Sequence, residues 1–508
     1  MKRREFLGGT SGVGLALAMP PFAVLRASEL PGDITDMSAS ALSVAIRQRV
    51  VSCREVMQAY LARIERYNPV VNAIVSRVDD QTLLRQADEA DRELDQGQPR
   101  GWMHGMPHAV KDLANVAGLP TSYGSPIFAG TIATEDDLAI ARIRAAGPIF
   151  IGKTNTPEFG YGSQTYNPVF GATGCAYAPG LTAGGSSGGA ACGLATHMLP
   201  VADGSDMMGS LRNPGAFNNV IGFRPSQGRV PHVSGDVFYD QLSTDGPLGR
   251  NAEDTLRLLC TMAGWHPLGP LSLRDALPAP AEFAPLDPAR VKIGWLGDYA
   301  GYLETEPGIL ELCEAALKTL AGHGAVVEPC QPEFELSRLW DTWLTLRHWS
   351  ANWVEPRYAD PAMRAQLKPE IIFEYEGSLG LTAKEVYAAG EARADWFRAL
   401  GTLFERYDFL ALPTAQVFPF PKDQHWPAEI NDRDMDTYHR WMEVVIGGTL
   451  AGIPIVNVPV GFDGRGRPMG MQLMGAFGED RRVLELALAY EKVTDFLERR
   501  PVLRERPA

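Results

Sequence analysis

The stretch "LTAGGSSGGAACGLATHMLPVADGSDMMGSLRNP", Leu181 to Pro214, sets two serines between two glycine pairs and has another serine, Ser210, in a second glycine-marked turn. A flexible linker is a poor interpretation, because small apolar residues that pack closely flank the glycines on both sides. A phosphate-binding loop fits badly too, since the stretch lacks the lysine of G-x-x-x-x-G-K-[ST]. What remains is a loop in which a serine does chemistry.

Three kinds of serine chemistry can be compared. Gly184, Ser186 and Gly188 satisfy G-x-S-x-G, but that motif needs a downstream acid and then a histidine, and the last histidine, His439, stands on an apparent helix. The S-x-x-K motif of penicillin-binding enzymes does not occur in the chain. A serine activated by lysine remains. Lys111 stands just past a predicted buried strand, in "GMPHAVKDLANVAG", Gly105 to Gly118.

These residues resemble the amidase signature family, whose motif runs through Gly184 to Pro214 with its lysine in a segment like "PHAVKD". The resemblance covers nearly all of the chain after the first 28 residues. It implies an α/β fold: a single large domain, residues 29–508, with a central mixed, twisted β-sheet covered by helices on both faces. It also implies that Lys111 is the general base, Ser186 the bridging serine and Ser210 the nucleophile.

Further site residues follow from the resemblance. The backbone amides of Met207, Met208, Gly209 and Ser210 are expected to form the oxyanion hole. Ser187 and Asp206 are expected to fix the proton relay and Arg212 to brace the loop, with a purely structural role as the alternative for each of these three. The bond between Gly185 and Ser186 is expected to be a cis peptide. The loop Gly160, Tyr161 and Gly162 is expected to contact substrate. Met208 departs from the family pattern, which usually has glycine there, and this affects the expected pocket shape more than the chemistry.

The rest of the chain divides into segments. A helical opening is expected at about 36–100, a catalytic core at about 101–260, a variable substrate-pocket segment at about 335–445 and closing core strands at about 446–475. Helical spacing of apolar residues from Ser38 to Tyr67 predicts two helices. The second begins with the capping box of Ser52 and Glu55 and ends at Asn68-Pro69. The stretches 448–462 and 468–475 are predicted to be strands.

Tryptophans concentrate in the variable segment. Seven of the ten lie from Leu339 to Trp441. Core packing is the ordinary role of a buried aromatic residue. A group this dense in an insertion-like region also suits the wall of an apolar cavity, and the sequence leaves both interpretations open.

Charge and the first residues bear on location. The net charge of -14 argues against a nucleic-acid or anionic-membrane surface. "KRREFLGG", Lys2 to Gly9, and the weakly apolar run to Leu25 resemble a twin-arginine export signal over residues 1–28, with cleavage near Ala27 and a periplasmic or exported product. The alternatives are an uncleaved membrane anchor and a segment that is ignored in the cytoplasm. After processing we expect no stable membrane insertion, since no later segment offers about 18 uninterrupted apolar residues.

The predicted function is a serine hydrolase that cleaves the C–N bond of a small linear amide, with an aryl, alkyl or unsubstituted nitrogen, through an acyl-enzyme. Esters and carbamates pass through the same kind of intermediate and are further candidates. We expect no cofactor and no metal, since the six cysteines form no C-x-x-C pair and fit buried free thiols. A homodimer is an assembly that the sequence leaves open. The alternatives are the glutaminase component of a tRNA-dependent amidotransferase and a non-catalytic binding protein of the same fold.

Overall fold

The computed structural model describes residues 31–503 apart from residues 234 and 240. The predicted export signal, residues 1–28, lies outside the described residues. Within the described part, no helix combines the length and the apolar character needed to cross a membrane.

Helices occupy the opening of the chain, the variable segment and the spaces between strands. In the described residues the α-helices are α1 (Ala39–Arg47), α2 (Cys53–Val71), α3 (Asp80–Asp95), α4 (Leu138–Ala145), α5 (Gly188–Ala195), α6 (Arg212–Phe217), α7 (Ala252–Met262), α8 (Ile309–Gly322), α9 (Ser337–Ser350), α10 (Glu355–Ala359), α11 (Pro361–Arg364), α12 (Pro369–Ser378), α13 (Ala383–Phe404), α14 (Ile446–Ala451) and α15 (Asp480–Val493).

The strands of the same residues are β1 (Ile74–Val75), β2 (Pro107–Lys111), β3 (Ile149–Thr154), β4 (Tyr166–Asn167), β5 (Gly171–Ala172), β6 (Gly174–Cys175), β7 (Ala178–Thr182), β8 (Val201–Asp206), β9 (Ile221–Arg224), β10 (Thr244–Gly249), β11 (Lys292–Trp295), β12 (Val326–Pro329), β13 (Phe409–Pro413), β14 (Glu429–Ile430), β15 (Arg433–Asp434), β16 (Ile455–Phe462) and β17 (Pro468–Met474).

An eight-stranded sheet in the order β12-β11-β13-β17-β16-β9-β10-β8 forms the centre. Strand β11 pairs parallel with β12 and β13, and the remaining neighbours are antiparallel, so the sheet is mixed. Every residue of β17 is buried, which means that both faces of the sheet are covered. Helices α6, α7, α8 and α15 pack on its strands. The predicted single-domain α/β fold with a mixed central sheet is confirmed.

A smaller sheet carries the lysine. Strands β1, β3 and β2 form a separate three-stranded sheet in that order, and Lys111 is the last residue of β2. Strand β2 contacts β8, the edge strand of the large sheet. The catalytic candidates therefore lie where the two sheets meet.

The helical opening agrees with the sequence pattern except at one end. Ser52 and Glu55 form the predicted capping box at the start of α2. The predicted end at Asn68-Pro69 is wrong, because α2 continues through Pro69 to Val71. The helix instead ends at Asn72, which adopts a left-handed conformation with φ 55° and donates its amide to the Asn68 carbonyl at 2.7 Å. Pro69 has no N–H to donate to the Glu65 carbonyl, yet the helix continues for two residues beyond it.

The closing segment also differs in one part. The stretch 448–451 belongs to helix α14, and the strand β16 begins only at Ile455. Gly452, with φ 66°, ends the helix in a left-handed conformation. A Cβ on Gly448 would lie 2.1 Å from Ile455 Cδ1, so this glycine allows the helix to pack directly on the strand. The second predicted strand matches β17.

Candidate active site

The amine of Lys111 lies among serine hydroxyls. The residue is 1% exposed, and its Nζ donates to Ser186 Oγ and Ser187 Oγ at 2.8 Å each and to Ser205 Oγ at 2.9 Å. An ammonium has three N–H donors, so each donor meets one hydroxyl. Ser187, to which the resemblance assigns a supporting role in the relay, contacts the lysine directly.

Burial lowers the pKa of Lys111. Removing an ammonium from water disfavours the charged form, and the carboxylates of Asp245, Asp206 and Asp203 counter only part of this effect, so the pKa falls to about 7. An unperturbed lysine has a pKa of about 10.4. About half of the Lys111 side chains are therefore neutral at pH 7 and able to accept a proton.

The glycine-serine loop is held in place by its close packing. The peptide bond between Gly185 and Ser186 is cis, as the family resemblance implies. Ser163 Oγ donates to the Gly185 carbonyl at 2.6 Å. A Cβ on Gly189 would lie 2.3 Å from the Asn155 amide nitrogen. Glycine after the two serines thus allows the loop to approach the neighbouring backbone.

Ser210 lies in the turn after β8 and lines the same cavity as Ser186. The Ser210 carbonyl accepts a hydrogen bond from the Ser187 amide at 3.3 Å, which ties the two serine segments together. The Ser186 hydroxyl is hydrogen bonded to Lys111 rather than to Ser210. Catalytic hydrogen bonds are commonly long without substrate and shorten in the reacting complex. The structure thus brings the three predicted triad residues to one place, with the Lys111–Ser186 contact already made.

The turn from Asp206 to Ser210 corrects one predicted oxyanion donor. The Asp206 carboxylate accepts the Gly209 amide at 2.9 Å and the Leu211 amide at 3.1 Å. A hydrogen bond to a charged acceptor is strong, so the Gly209 N–H is committed to Asp206 and not to a substrate. In the part of the chain that the structure describes, the amides of Met207, Met208 and Ser210 have no protein acceptor. These three remain as candidate oxyanion donors.

Met208 fits its position without special backbone geometry. It is absent from the described residues with positive φ, whereas the next residue, Gly209, has φ 78°. A Cβ on Gly209 would lie 3.0 Å from Val445 side-chain atoms. Glycine is therefore needed at 209 and not at 208, so the departure from the family pattern leaves the turn intact.

Asp206 is held by two buried guanidinium groups. Arg212 contacts it through Nε at 3.0 Å and Nη2 at 2.9 Å, and Arg224 through Nη1 at 3.1 Å. Burial alone would raise the pKa of Asp206, but Arg212 and Arg224 outweigh it and hold the pKa well below its usual range. Arg212 also donates to Gln472 Oε1 at 2.6 Å. The turn is thereby joined to strand β17 of the large sheet.

Several functional residues escaped the sequence reasoning. Ser205 contacts Lys111 Nζ, and Asp203 accepts the Lys111 amide at 3.2 Å and contacts His108 Nε2 at 2.9 Å. Both lie on β8, two residues apart, and therefore on one face of the strand. Alternation in "VADGSD", once recognised as a strand, would have been the signal. Arg224 offered no local signal, because it arrives from strand β9.

The substrate-loop residues separate into two groups. Gly160 and Tyr161 line the cavity with the serines, whereas Gly162 does not. Gly162 instead faces the Lys368 amine, 3.6 Å from where its Cβ would be. Lys368 Nζ donates to the Tyr161 carbonyl at 3.0 Å, so this end of the loop serves to anchor it. Contact between Gly162 and a substrate therefore stays a prediction, since Gly162 lies outside the lining of this cavity.

The cavity beside Ser186 and Ser210 has a volume of about 680 Å³. Its aromatic lining residues are Tyr123, Phe128, Phe159, Tyr161, Tyr239, Trp349 and Trp353. Of the seven tryptophans in the variable segment, Trp349 and Trp353 therefore line the cavity, while Trp343, Trp396 and Trp441 are almost fully buried in the core. Both interpretations of the tryptophans hold, each for different members.

The cysteines are dispersed through the part of the chain that the structure describes. All six cysteines carry free thiols, five of them buried and Cys260 half-buried. Burial raises the pKa of buried thiols such as Cys313, which makes them poor nucleophiles and ligands. In residues 31–503, leaving aside 234 and 240, no three His, Cys, Asp or Glu side chains are grouped to hold a metal ion.

Fold and site together define a class: α/β enzymes with a buried lysine beside a glycine-serine loop. A family model described as Amidase matches residues 55–484. An acylamidase from Rhodococcus erythropolis is 31% identical over 474 residues, covering 92% of this chain and 97% of the relative. A glutamyl-tRNA(Gln) amidotransferase component from Thermus thermophilus is 32% identical over 482 residues, covering 89% and 97%.

Solved structures agree. A bacterial aryl acylamidase of the amidase signature family superposes with a TM-score of 0.84 at 26% identity, covering 92% of this chain and 99% of that one. A peptide amidase from Stenotrophomonas maltophilia gives a TM-score of 0.73 at 26% identity, covering 90% and 96%. The chain belongs to the amidase signature family and is an amide hydrolase.

Proposed function

We propose that this chain hydrolyses N-aryl amides of small acyl groups, with Ser210 as nucleophile, Ser186 as proton bridge and Lys111 as base. The observation that carries the substrate class is the cavity, where seven aromatic side chains surround the space next to both serines. Flat aromatic groups stack well on such side chains. The similarity to an acylamidase and to an aryl acylamidase supports the same class.

The attack begins with Lys111 in its neutral form. Lys111 Nζ takes the proton of Ser186, which lies 2.8 Å away, and Ser186 Oγ takes the proton of Ser210. Ser210 Oγ then forms a bond to the amide carbon, and the carbonyl electron pair moves to oxygen. The amides of Met207, Met208 and Ser210 are placed to hold this oxyanion, and a lost donor of this kind costs about 3–4 kcal/mol in other acyl-transfer enzymes.

Collapse of the intermediate breaks the C–N bond. The Ser186 hydroxyl gives its proton to the leaving nitrogen and regains one from the Lys111 ammonium, so the amine departs neutral. The acyl group remains as an ester of Ser210. A water molecule then repeats the relay in the nucleophile's place and releases the carboxylic acid.

Covalent labelling tests the nucleophile. A fluorophosphonate probe should add its mass to the purified protein and not to the Ser210→Ala variant, since that variant lacks the attacking oxygen. Ser350→Ala is a matched control, because Ser350 lines the same cavity and should leave labelling unchanged. Absence of labelling in the wild-type protein would favour a non-catalytic binding protein. Equal labelling of the Ser210→Ala variant would remove Ser210 from the mechanism.

A substrate panel tests the amide class. Anilides, alkyl amides, primary amides, peptide amides, esters and carbamates are incubated with the enzyme and read by mass spectrometry, with Ser210→Ala as the blank. Anilides should show the highest kcat/KM, because only they place a ring among the aromatic side chains of the cavity. A clear preference for primary or alkyl amides would contradict the aryl assignment.

The glutaminase component of an amidotransferase is the second candidate. The whole-length similarity to glutamyl-tRNA(Gln) amidotransferase components favours it, whereas the net charge of -14 does not suit a tRNA-binding surface. Glutamine hydrolysis that appears only with partner proteins would select this candidate. Anilide hydrolysis by the purified chain alone would select the first.

Location and assembly are further proposals that rest on sequence. Residues 1–28 are proposed to direct the folded enzyme to the periplasm by the twin-arginine route. Cell fractionation with a twin-lysine variant, Arg3→Lys with Arg4→Lys, tests this, because the variant should stay in the cytoplasm. Light scattering of the purified enzyme decides between a monomer and a homodimer.

A further inference from the structure

Arg347 is a buried arginine in the wall of the catalytic cavity. It lies on α9 in the variable segment, is 7% exposed and lines the cavity together with Ser186, Ser210 and Met207. Its guanidinium lies over the Tyr161 ring, 4.1 Å from the ring centroid. A buried cation beside a reacting carbonyl has no role in the mechanism described above, and its surroundings indicate what it binds.

The guanidinium is incompletely hydrogen bonded. Of its five N–H donors, Nε donates to Glu374 Oε1 at 3.3 Å and Nη1 donates to the sulfur of Met207. The Tyr438 hydroxyl is a further hydrogen-bond partner of the guanidinium. A thioether is a weak acceptor. The forked end of Arg347, which suits a carboxylate, thus faces a poor partner at the cavity wall.

Glu374 neutralises the cation only in part. Its carboxylate also accepts hydrogen bonds from His348 Nδ1 at 2.8 Å and from the Tyr438 hydroxyl at 2.6 Å, so its charge is shared among three donors. Burial alone would lower the pKa of Arg347, but Tyr438, Tyr161 and Glu374 outweigh it and raise the pKa. Arg347 therefore stays positively charged throughout the working pH range.

From this geometry we infer that Arg347 binds a carboxylate on the acyl half of the substrate, so that the preferred substrates are anilides of dicarboxylic acids. The inference rests on the proposed function and narrows its substrate class. Met207 connects Arg347 with the expected oxyanion position, because its side chain contacts Arg347 and its amide is a candidate oxyanion donor. An anionic group held by Arg347 lies within a few bonds of the reacting carbonyl. The carboxylate replaces the thioether as the acceptor of the guanidinium fork.

The leaving amine lies elsewhere in this arrangement. Phe159 and Trp353 pack edge to face with ring centroids 5.1 Å apart, and Phe128 packs on Phe159 at 5.8 Å. These rings form an apolar wall for the aryl group. A second arginine, Arg357, already lies over the Phe128 and Trp353 rings and provides a matched control.

The test compares two 4-nitroanilides of equal shape. One carries a succinyl group and the other the neutral 4-methylpentanoyl group. In the wild-type enzyme the charged substrate should have a kcat/KM at least about tenfold higher, as expected for one or two charge-assisted hydrogen bonds. Arg347→Gln should reduce the charged-to-neutral ratio by at least about tenfold, and Arg347→Lys should retain part of it. Because the ratio is taken within each variant, a general loss of active enzyme cancels.

The control variant, Arg357→Gln, should keep the charged-to-neutral ratio of kcat/KM within about threefold of the wild-type value. A wild-type ratio of one or less, or an unchanged ratio in Arg347→Gln, overturns the inference. Loss of the charged-to-neutral ratio in Arg357→Gln alone would also overturn the inference. The same holds if the enzyme prefers 4-acetamidobenzoate, which carries its carboxylate on the amine half, to the succinyl anilide.

The proposed function and this inference fail separately. Hydrolysis of the neutral anilide without preference for the charged one overturns the inference alone. If neither anilide is cleaved, the proposed function fails, and calorimetric binding of succinanilate to the wild-type protein and to Arg347→Gln decides the inference. Binding weakened at least about tenfold in the variant supports it, and equal binding refutes it.

Discussion

Hydrolysis should increase with pH through a midpoint near 7, because only neutral Lys111 accepts a proton and burial lowers its pKa to about 7. The neutral fraction is then about one tenth at pH 6 and about nine tenths at pH 8. Since kcat/KM follows ionisation of the free enzyme, its value at pH 6 should be about one tenth of the plateau. A sharper test removes a carboxylate that acts on this lysine.

Asp245 is that carboxylate. It pairs with Ser205 across β10 and β8, so the two side chains share a face, and Ser205 Oγ lies 2.9 Å from Lys111 Nζ. The Asp245 carboxylate is thus on the order of 6 Å from the amine. At an effective dielectric constant of about 20 to 40, two charges at that distance interact by about 1.4–2.8 kcal/mol.

The sign of the effect is determined by the charge. The Asp245 carboxylate favours the ammonium and raises the pKa of Lys111, and burial raises the pKa of Asp245 itself only to about 6, so the carboxylate is mostly ionised at pH 7. Asp245→Asn should therefore lower the pKa of Lys111 and move the midpoint downward by about one to two pH units. At pH 6 the variant should be more active, relative to its own plateau, than the wild-type enzyme.

The assay is kcat/KM for a neutral 4-nitroanilide from pH 5 to pH 9 at constant ionic strength. Asp236→Asn is the matched control, since Asp236 lines the cavity but is not among the carboxylates that act on Lys111. A wild-type midpoint above 9 would mean that Lys111 is not neutral at pH 7. A midpoint that stays or moves upward in Asp245→Asn, or one that moves equally in Asp236→Asn, would refute the electrostatic argument.

Three further changes test other parts of the site. Ser205→Ala should lower kcat/KM about 10- to 100-fold without unfolding the protein, because it removes one of the hydroxyls on Lys111, a contact worth about 1.5–3 kcal/mol. Arg224→Met should lower the free energy of unfolding by about 3–5 kcal/mol in urea titrations, because it leaves the buried charge of Asp206 with less compensation. Gly209→Ala should lower it by about 1–3 kcal/mol and reduce hydrolysis, since φ is 78° and the new Cβ would meet Val445 at 3.0 Å.

Each of these changes has a counterpart elsewhere in the chain. Ser350 lines the same cavity as Ser205, and Ser350→Ala should leave kcat/KM unchanged. Arg257→Met removes a surface ion pair with Glu253 and should cost less than about 1 kcal/mol. Gly380→Ala has no atom within 4 Å of its new Cβ and should be nearly neutral. An effect in a counterpart as large as in its partner would contradict the stated cause.

The sequence motif located the residues of two segments that are close along the chain, the loop before α5 and the turn after β8. Ser186, Asp206, Ser210 and Arg212 stand in a single stretch with glycines at positions that need them, so their grouping could be predicted. Lys111 was found through its "PHAVKD" segment at the end of a buried strand. These features are local, and local features can be recognised from the sequence alone.

The missed residues reach the site through long-range packing. Asp245 acts on Lys111 only because β10 pairs with β8 in one register, and Arg347 enters the cavity from α9. The Gly209 amide was misassigned because its direction depends on the Asp206 carboxylate. The tryptophans divide between core and cavity according to where their separate segments pack, which their density in the sequence does not show.

The lysine and the nucleophile belong to different sheets. Lys111 ends β2 of the three-stranded sheet, and Ser210 follows β8 of the eight-stranded sheet. The contacts of Asp203 with the Lys111 amide and with His108 hold the two sheets in register. A separation of one ångström at this seam would stretch the relay beyond hydrogen-bond length while leaving both sheets folded. Hydrolysis therefore depends on the alignment of the two sheets. Warming or mild denaturant should abolish hydrolysis before the helices unfold.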